Sequence, residues 1–481
     1  MNRKSSTASR VTAAAATLAI CAVAPSFALA ASPSAPLTLN ASAKSADSQS
    51  VGMASSGAKT VVWKQTQGPY ASPTGNDVMA TRITVRTRIV TIGSGRKRRK
   101  VKRSQTVVTP LRVYSATGRF ISEVVSETTP SGVTTIAWGL RDRTGNKVSL
   151  MARRITAAGR LGPVITVSTA GKRAHDLRIA SAASSAATLL WTSDDSIVSW
   201  VEAKRIGSTG TVGNLITVTS DHGAYHDVVM AGRPDGSADV VWRNGNGAQP
   251  VTELVQITAG GLTKDAVELG DPANSSNDDQ AIAMGANGRS TIAWSESVYD
   301  PVSKTYSMLL RMTRVDAAGN RGRTVDITSA DSPYQPAIGV AANGTSTIAW
   351  GYDTGGMTRV RMARISANYA KSSILDLGPV GERLVSGFGP TVAVAPNGLA
   401  TFAWSVVKAG GFPQAVYLQS LRVDASGHKG STVRLVAPNS ENPDLVHFPV
   451  LASGPDGTCL FAFVRRNVYG SAASLKLISW K

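Results

Sequence analysis

Two stretches decide the fold: GANGRSTIAW at residues 285–294 and AANGTSTIAW at 341–350, which differ at two positions and stand 56 residues apart. Working outward, the same frame recurs as KTVVW (59–63), TTIAW (134–138), ATLLW (187–191), ADVVW (238–242) and ATFAW (400–404). Each is a short apolar run ending in tryptophan, and GTCLFAF (457–463) repeats the frame with Phe463 in the aromatic slot. Six residues before the aromatic stands Gly57, Gly132, Gly236, Gly288, Gly344, Gly398 or Gly457, with Ser185 the one substitute. After a first interval of 75 residues the spacing stays between 51 and 59. A period near fifty marks an array of repeated units whose faces are buried against one another.

One unit resolves into four strands. PAIGVAANG (336–344) is an extended run ending in an Asn-Gly turn, and TSTIAW returns from it. After the polar loop GYDTGGMT comes a third run, RVRMARIS; in the sister copy the third run is LLRMTRV and a fourth, TVDITS, follows the turn DAAGNRG. Short β-branched runs separated by Gly, Asn and Asp turns are hairpin signals. The glycine suits a turn position with positive φ. Alternation lets the aromatic and the residue two before it share a face and wedge between units. Arg112, Arg154, Arg205, Arg314, Arg364 and Arg422, each before an apolar residue, fall in the third strand and explain part of the basicity structurally.

Four strands per fifty-residue unit resembles the blade of a β-propeller. The chain is similar to the β-propeller superfamily over nearly its whole length, and more loosely to secreted bacterial propeller-repeat proteins of unassigned function. No slot tryptophan is followed by aspartate, as in WD40 repeats, and the sialidase Asp-box is absent, so the resemblance carries over no catalytic residue. Eight glycine–aromatic slots predict eight blades, or seven if the irregular first unit forms none. The last unit has a third strand, SLKLISW, and no fourth, whereas LTLNASAKSADSQ (37–49) resembles VDITSADSPYQ (325–335). The N-terminal strand is therefore expected to complete the final blade and close the ring, which removes the exposed sheet edges of an open array.

The first thirty residues read as a signal peptide: Arg3, Lys4 and Arg10, an apolar core, then Ala28-Leu29-Ala30 as a cleavage site. This predicts a secreted, extracellular protein with one propeller domain over 31–481. A lipoprotein site at Cys21 fits less well, because Ile20 precedes it. No later stretch reaches the ~20 apolar residues of a transmembrane segment. Once Cys21 is removed, Cys459 is the one thiol, in an apolar strand that suits a small buried side chain. Stability then depends on a large core rather than on disulfides.

Net charge is +20, which favours an anionic polymer or a cell-envelope surface as partner of a monomeric binding protein. The cations concentrate in the long first unit, where a basic extra hairpin is expected at about 82–108 around Gly93-Ser94-Gly95. Arg86, Arg88, Arg96, Lys97, Arg98, Arg99, Lys100, Lys102 and Arg103 are its candidate polyanion-binding residues. A three-residue turn would set Arg88 opposite Lys100 and Arg86 opposite Lys102, placing Arg86, Arg88, Arg98, Lys100 and Lys102 on one face. Like charges so placed repel unless an anion or solvent relieves them.

A second constellation lies sixteen residues before each slot aromatic. That position holds His175, His226, Asp278, Tyr334, Phe388 and His447, and the next holds Asp176, Asp227, Asp279, Gln335, Gly389 and Phe448. If strand one lines the channel, these converge at its mouth. Imidazole and carboxylate suit a divalent cation such as Zn, carboxylate alone Ca. The same groups suit acid–base work, a small-ligand socket, or capping of backbone at the blade tops. No phosphate-cradling loop, nucleophile elbow or paired-Cys motif occurs. The leading expectation is a non-enzymatic propeller binding a polyanion through the hairpin; the alternative is a metal- or ligand-binding, even hydrolytic, propeller working at the channel mouth.

Overall fold

The computed structural model describes residues 32–40, 45–67, 74–92, 98–142, 148–168, 173–194, 198–219, 225–244, 251–270, 275–329, 332–354, 357–378, 383–384, 389–407, 416–436, 444–467 and 473–481. The signal segment lies outside them. The described chain forms eight antiparallel sheets arranged as a β-propeller, blades I–VIII in chain order. Seven of the sheets have four strands each. The inner strands are Ala46–Met53 (I), Phe120–Thr128 (II), Arg173–Ser181 (III), Tyr225–Gly232 (IV), Ser275–Met284 (V), Tyr334–Val340 (VI) and Asp444–Ser453 (VIII). Blade VII splits its inner strand into Arg383–Leu384 and Thr391–Val394, both paired with Ala400–Val407. Each inner strand packs on the next, and Asp444–Ser453 returns to Ala46–Met53, so the ring closes around an axis.

Closure follows the repeat logic. Leu37–Thr38 pairs antiparallel with Ser474–Trp480, matching Leu37 with Leu477, and supplies the missing outer strand of blade VIII. Asn40 seals the joint: its Nδ2 donates to Ala473 O at 3.0 Å and its Oδ1 accepts from Leu475 N at 2.7 Å.

The repeated side chains divide into a wedge, a turn and a staple. All seven slot tryptophans and Phe463 are buried between blades. The turn glycines have φ between 74° and 93°, and Ser185 adopts 68° in the same place. An arginine near the end of strand three reaches into the next blade and donates to backbone carbonyls there. Arg154 reaches Ile206 O and Ser208 O; Arg205 reaches Gly236 O; Arg314 reaches Gly344 O, Ile365 O, Ser366 O and Ala367 O. Arg364 reaches Gly398 O, Val423 O and Asp424 O, and Arg422 reaches Gly457 O and Trp480 O. Turn carbonyls that close packing would otherwise strand are thereby satisfied.

Blade I corrects one assignment. Arg112 lies on the fourth strand, 3.9 Å from Asp77, and the staple is Arg82, which donates to Gly132 O and Ala157 O. Reading the arginine from its neighbour alone missed that the long first unit shifts the frame. Blade IV places Gln256 in the staple position, and Arg233 from the preceding turn supplies the missing charge, paired with Asp239 at 2.6 Å and donating to Gly288 O. Blade VIII places Ser479 there, met by Lys59 at 2.8 Å from blade I. Cys459 is fully buried, and burial pushes its thiol up to about 12.

The extra length of blade I is a two-stranded ribbon, Gly75–Ile92 with Arg99–Thr117. Its register differs from the expected one. Ile92 pairs with Arg99, so six residues rather than three join the strands, and Arg88 faces Arg103 while Arg86 faces Gln105. Arg86, Arg88, Arg99 and Arg103 thus share one face, and Lys100 and Lys102 lie on the other. The longer connection shifts the pairing by an odd number of residues and flips half the cations. Arg96 and Lys97 lie outside the described residues; Arg98 is exposed at the end of the connection.

Candidate functional site: the bulge ring at the channel mouth

The constellation sixteen residues before the aromatic is, in the structure, a ring of β-bulges. Pairing with strand two shifts between Asp47 and Ser50, Ile121 and Val124, His175 and Arg178, His226 and Val229, Asn277 and Gln280, Tyr334 and Ala337, and His447 and Val450. Ser48, Asp176, Asp227 and Gln335 hold positive φ inside these bulges. A bulge re-aims side chains and interrupts pairing, and here the interruption recurs at one height around the axis.

What the bulges present differs from blade to blade. In blade III, His175 is held between two carboxylates, with Nδ1 2.9 Å from Asp176 Oδ2 and Nε2 3.1 Å from Asp194 Oδ2. The hydrogen bond to Asp176 and the charges of both carboxylates raise its pKa against the effect of burial. A carboxylate on each nitrogen favours the doubly protonated ring, in which neither nitrogen offers a lone pair to a metal. Among the described residues no three His, Cys, Asp or Glu side chains converge as a metal site. Asp279 accepts from Gln335 N at 2.8 Å and so caps the neighbouring blade, and Gln280 donates to Asp227 O. Asp227 is exposed, 3.9 Å from Arg243. The side chains of His226, Asp278 and His447 lie outside the described residues.

Residues of blades I and II complete the mouth and escaped the sequence reading. Counting sixteen back from Trp63 and Trp138 reaches Asp47 and Ser122, so the next residues are Ser48 and Glu123. The same offset would have found them. Leu177 N donates to Glu123 Oε2 at 3.0 Å, and Arg178 lies 3.7 Å from Oε1. Burial nevertheless holds the Glu123 carboxyl above its ordinary range, outweighing that amide and the Arg178 charge. Asp47 pairs with Lys64 at 3.0 Å.

These groups wall an axial cavity of about 820 Å³ between blades VIII, I, II and III. Its polar lining is Asp47, Ser48, Gln49, Ser50, Glu123, Ser126 and Arg178, with Val124, Ile179, Val450 and Val464 between them. Its two carboxylates are each met by a cation, Asp47 by Lys64 and Glu123 by Arg178, so the wall is polar and mixed in charge. At the other end of the bore a cavity of about 470 Å³ is walled mainly by apolar groups, among them Pro130, Pro234, Met284, Val340, Val394 and Pro396. Among the described residues the polar lining is concentrated at the bulge end of the bore.

No protein-family model matches the chain, and no curated protein matches it. Solved propellers share the fold. Polysaccharide lyase Uly1 is 10% identical with a TM-score of 0.47, covering 73% of this chain and 88% of its own. The β-propeller domain of the Trilobed protease from Pyrococcus furiosus is 9% identical with a TM-score of 0.44, covering 76% and 93%. The GH93 α-L-arabinofuranosidase of Fusarium graminearum, in complex with arabinobiose, is 12% identical with a TM-score of 0.39, covering 65% and 96%. At this identity the likeness is one of fold.

The expectation of a non-enzymatic propeller acting through its hairpin is corrected. Similar solved structures are mostly described as enzymes, including a second polysaccharide lyase, an ulvan lyase, and a second α-L-arabinofuranosidase structure. The single cationic face on which that expectation rested is also absent, since the observed register divides the charges between two faces.

Proposed function

We propose that the protein is a ligand-binding propeller whose site is the polar axial cavity, and that it takes a hydroxyl-rich small molecule. The carrying observation is the cavity wall itself. Carboxylates, a carboxamide, three serine hydroxyls and one guanidinium offer donors and acceptors together, with valine and isoleucine between them. Such a lining suits a neutral polyol better than a purely anionic or apolar ligand. The bulges supply the site because they turn side chains that a regular strand would bury between blades toward the bore. A cleavable signal segment at 1–30 supports export, with the mouth open to the extracellular medium.

Titrating the full chain with sorbitol and a set of monosaccharides tests this. Arg178→Ala should weaken binding tenfold or more, whereas Arg86→Ala on the hairpin should leave it unchanged. Binding indifferent to Arg178→Ala sinks the assignment.

One observation favours hydrolysis of the bound ligand as a second reading. Glu123 is a carboxyl that burial keeps above its ordinary range on the cavity wall, and a raised carboxyl is the kind that serves as a general acid. Glu123→Gln should then lower turnover of aryl glycosides by about 100-fold or more while binding persists. Equal turnover in the variant removes Glu123 from the chemistry.

A further inference from the structure

Consecutive residues of blade III, His175 to Arg178, join the doubly bridged histidine to the cavity wall. Leu177 and Arg178 line the cavity, and both hold Glu123 of blade II. The Leu177 amide donates to it at 3.0 Å, and the Arg178 guanidinium lies 3.7 Å away. His175 and Asp176 precede them in the bulge, where pairing with strand two lapses between His175 and Arg178. No regular ladder with strand two therefore fixes Asp176 or Leu177, and Asp176 sits at a φ of 52°. A residue with a Cβ rarely stays in that region unless its surroundings hold it. His175 supplies a hold: one ring nitrogen meets Asp176 at 2.9 Å, and the other meets Asp194, on strand two of the same blade, at 3.1 Å. The ring thus ties the irregular bulge to the regular strand beside it.

We propose that His175 is a positioning residue for the ligand cavity: its protonated ring, bridging Asp176 and Asp194, holds the bulge that aims Leu177 N and Arg178 at Glu123. This rests on the cavity being the ligand site. Bridging two carboxylates needs a donor on each nitrogen, which only the imidazolium has. The neutral ring turns a lone pair toward one of them, so one bridge is lost. Losing the first frees Asp176; losing the second strands Asp194, whose Oδ1 is already buried without a partner among the described residues. The hydrogen bond to Asp176 and the charges of both carboxylates hold the His175 pKa above its ordinary 6.5. The bridging form therefore persists beyond that value and is lost as pH rises through the raised one. Burial raises the Glu123 carboxyl, and the His175 charge is among those that draw it back down, so the two groups are coupled directly. The charged groups on the strands packed against this one are Asp194 on strand two, Glu123, Glu127, Arg141, Arg153 and Arg154 on blade II, and Asp227 on blade IV, where the side chain of His226 lies outside the described residues. Arg173, Asp176 and Arg178 share the strand of His175. Of all these, Asp176 and Asp194 lie within ion-pair distance of the ring.

The test is the pH profile of sorbitol affinity, measured calorimetrically on the full chain between pH 6 and pH 9. Affinity is expected to fall by about fivefold or more across that range. By linkage, binding then takes up protons, read as a dependence of the binding heat on the ionisation enthalpy of the buffer. Ionisation of Glu123 works in the opposite direction, because it strengthens the pairing with Arg178 as pH rises. His175→Gln, which carries no charge at any pH, should bind sorbitol more weakly at pH 6 and show no further fall toward pH 9. The proton uptake of the unaltered chain stands as a test even if that variant folds poorly. A flat profile without proton uptake, with binding still weakened by Arg178→Ala, overturns the positioning role and leaves the cavity assignment intact. Sorbitol that binds at no pH overturns both.

Discussion

The two ends of each blade obey different rules. At the end where strands one and two turn, every blade repeats a positive-φ residue in the turn, and blades I to VII each send a cation into the next blade, while blade VIII receives one from blade I. When the cation is missing from its usual position, another is recruited, Arg233 beside Gln256 and Lys59 beside Ser479. At the mouth the backbone also repeats, as a bulge, but the side chains do not: Asp47-Ser48, Glu123, His175-Asp176, Asp227, Asp279 and Gln335 occupy comparable places. Where geometry and chemistry repeat together, packing is the reason. Where geometry repeats and chemistry varies, the ring is a frame holding one asymmetric site.

Substitutions can break that contrast, and the largest effect belongs to the repeated end. Trp294→Ala removes a fully buried indole whose Nε1 donates to Glu296 at 2.9 Å. It should cost about 3–5 kcal/mol in denaturant unfolding. Arg314→Ala strands carbonyls at Gly344, Ile365, Ser366 and Ala367, and a loss of about 2–4 kcal/mol is expected without any change in ligand affinity. A smaller loss would mean that water replaces the guanidinium and that the staples are less important than their repetition implies.

A carboxylate beside the strand-one-to-two turn of blade II should carry a pH signature. The Glu127 carboxyl titrates higher in the folded chain than its ordinary 4.5, at about 7, so the folded state holds the proton more tightly than the unfolded one. Its burial cost is therefore absent at low pH and grows as pH rises from the ordinary value to about 7. Glu127→Gln should raise stability by about 2 kcal/mol at pH 8 and change little at pH 4. Equal effects at both pH values would show that the carboxylate is not strained by burial. The smallest expected change returns to the repeated end: Ser185→Gly relieves a φ of 68° and should add about 1 kcal/mol or less, read as a shift in Tm.

Much of the fold was legible because packing imposes one requirement eight times. A wedge between blades must be large and apolar, a tight turn needs positive φ, and both therefore recur at a readable spacing. The missing strand of the last unit was equally legible, since Leu37 and Thr38 continue a repeat interrupted by the chain ends. The site was half legible. His175, Asp176, Asp227 and Asp279 fell where the offset placed them, but nothing local distinguished Asp279, which caps Gln335 N, from His175, which bridges two carboxylates. Arg178 and Asp194 carry no repeat signal because they matter in one blade only. The hairpin register depended on a connection whose length no pattern announces, and one odd shift moved Lys100 and Lys102 across the ribbon.

By itself the sequence determined the repeat, the blade, the closed ring and the basic excess, because each follows from periodicity or composition. Tertiary structure alone decided which groups meet. The bulges turn Glu123 and Arg178 onto one wall, and ring closure carries blade VIII around to blade I, so the cavity joins residues from Ala46 to Val464. Proximity across the axis depends on how eight sheets close in space, and no spacing along the chain encodes it.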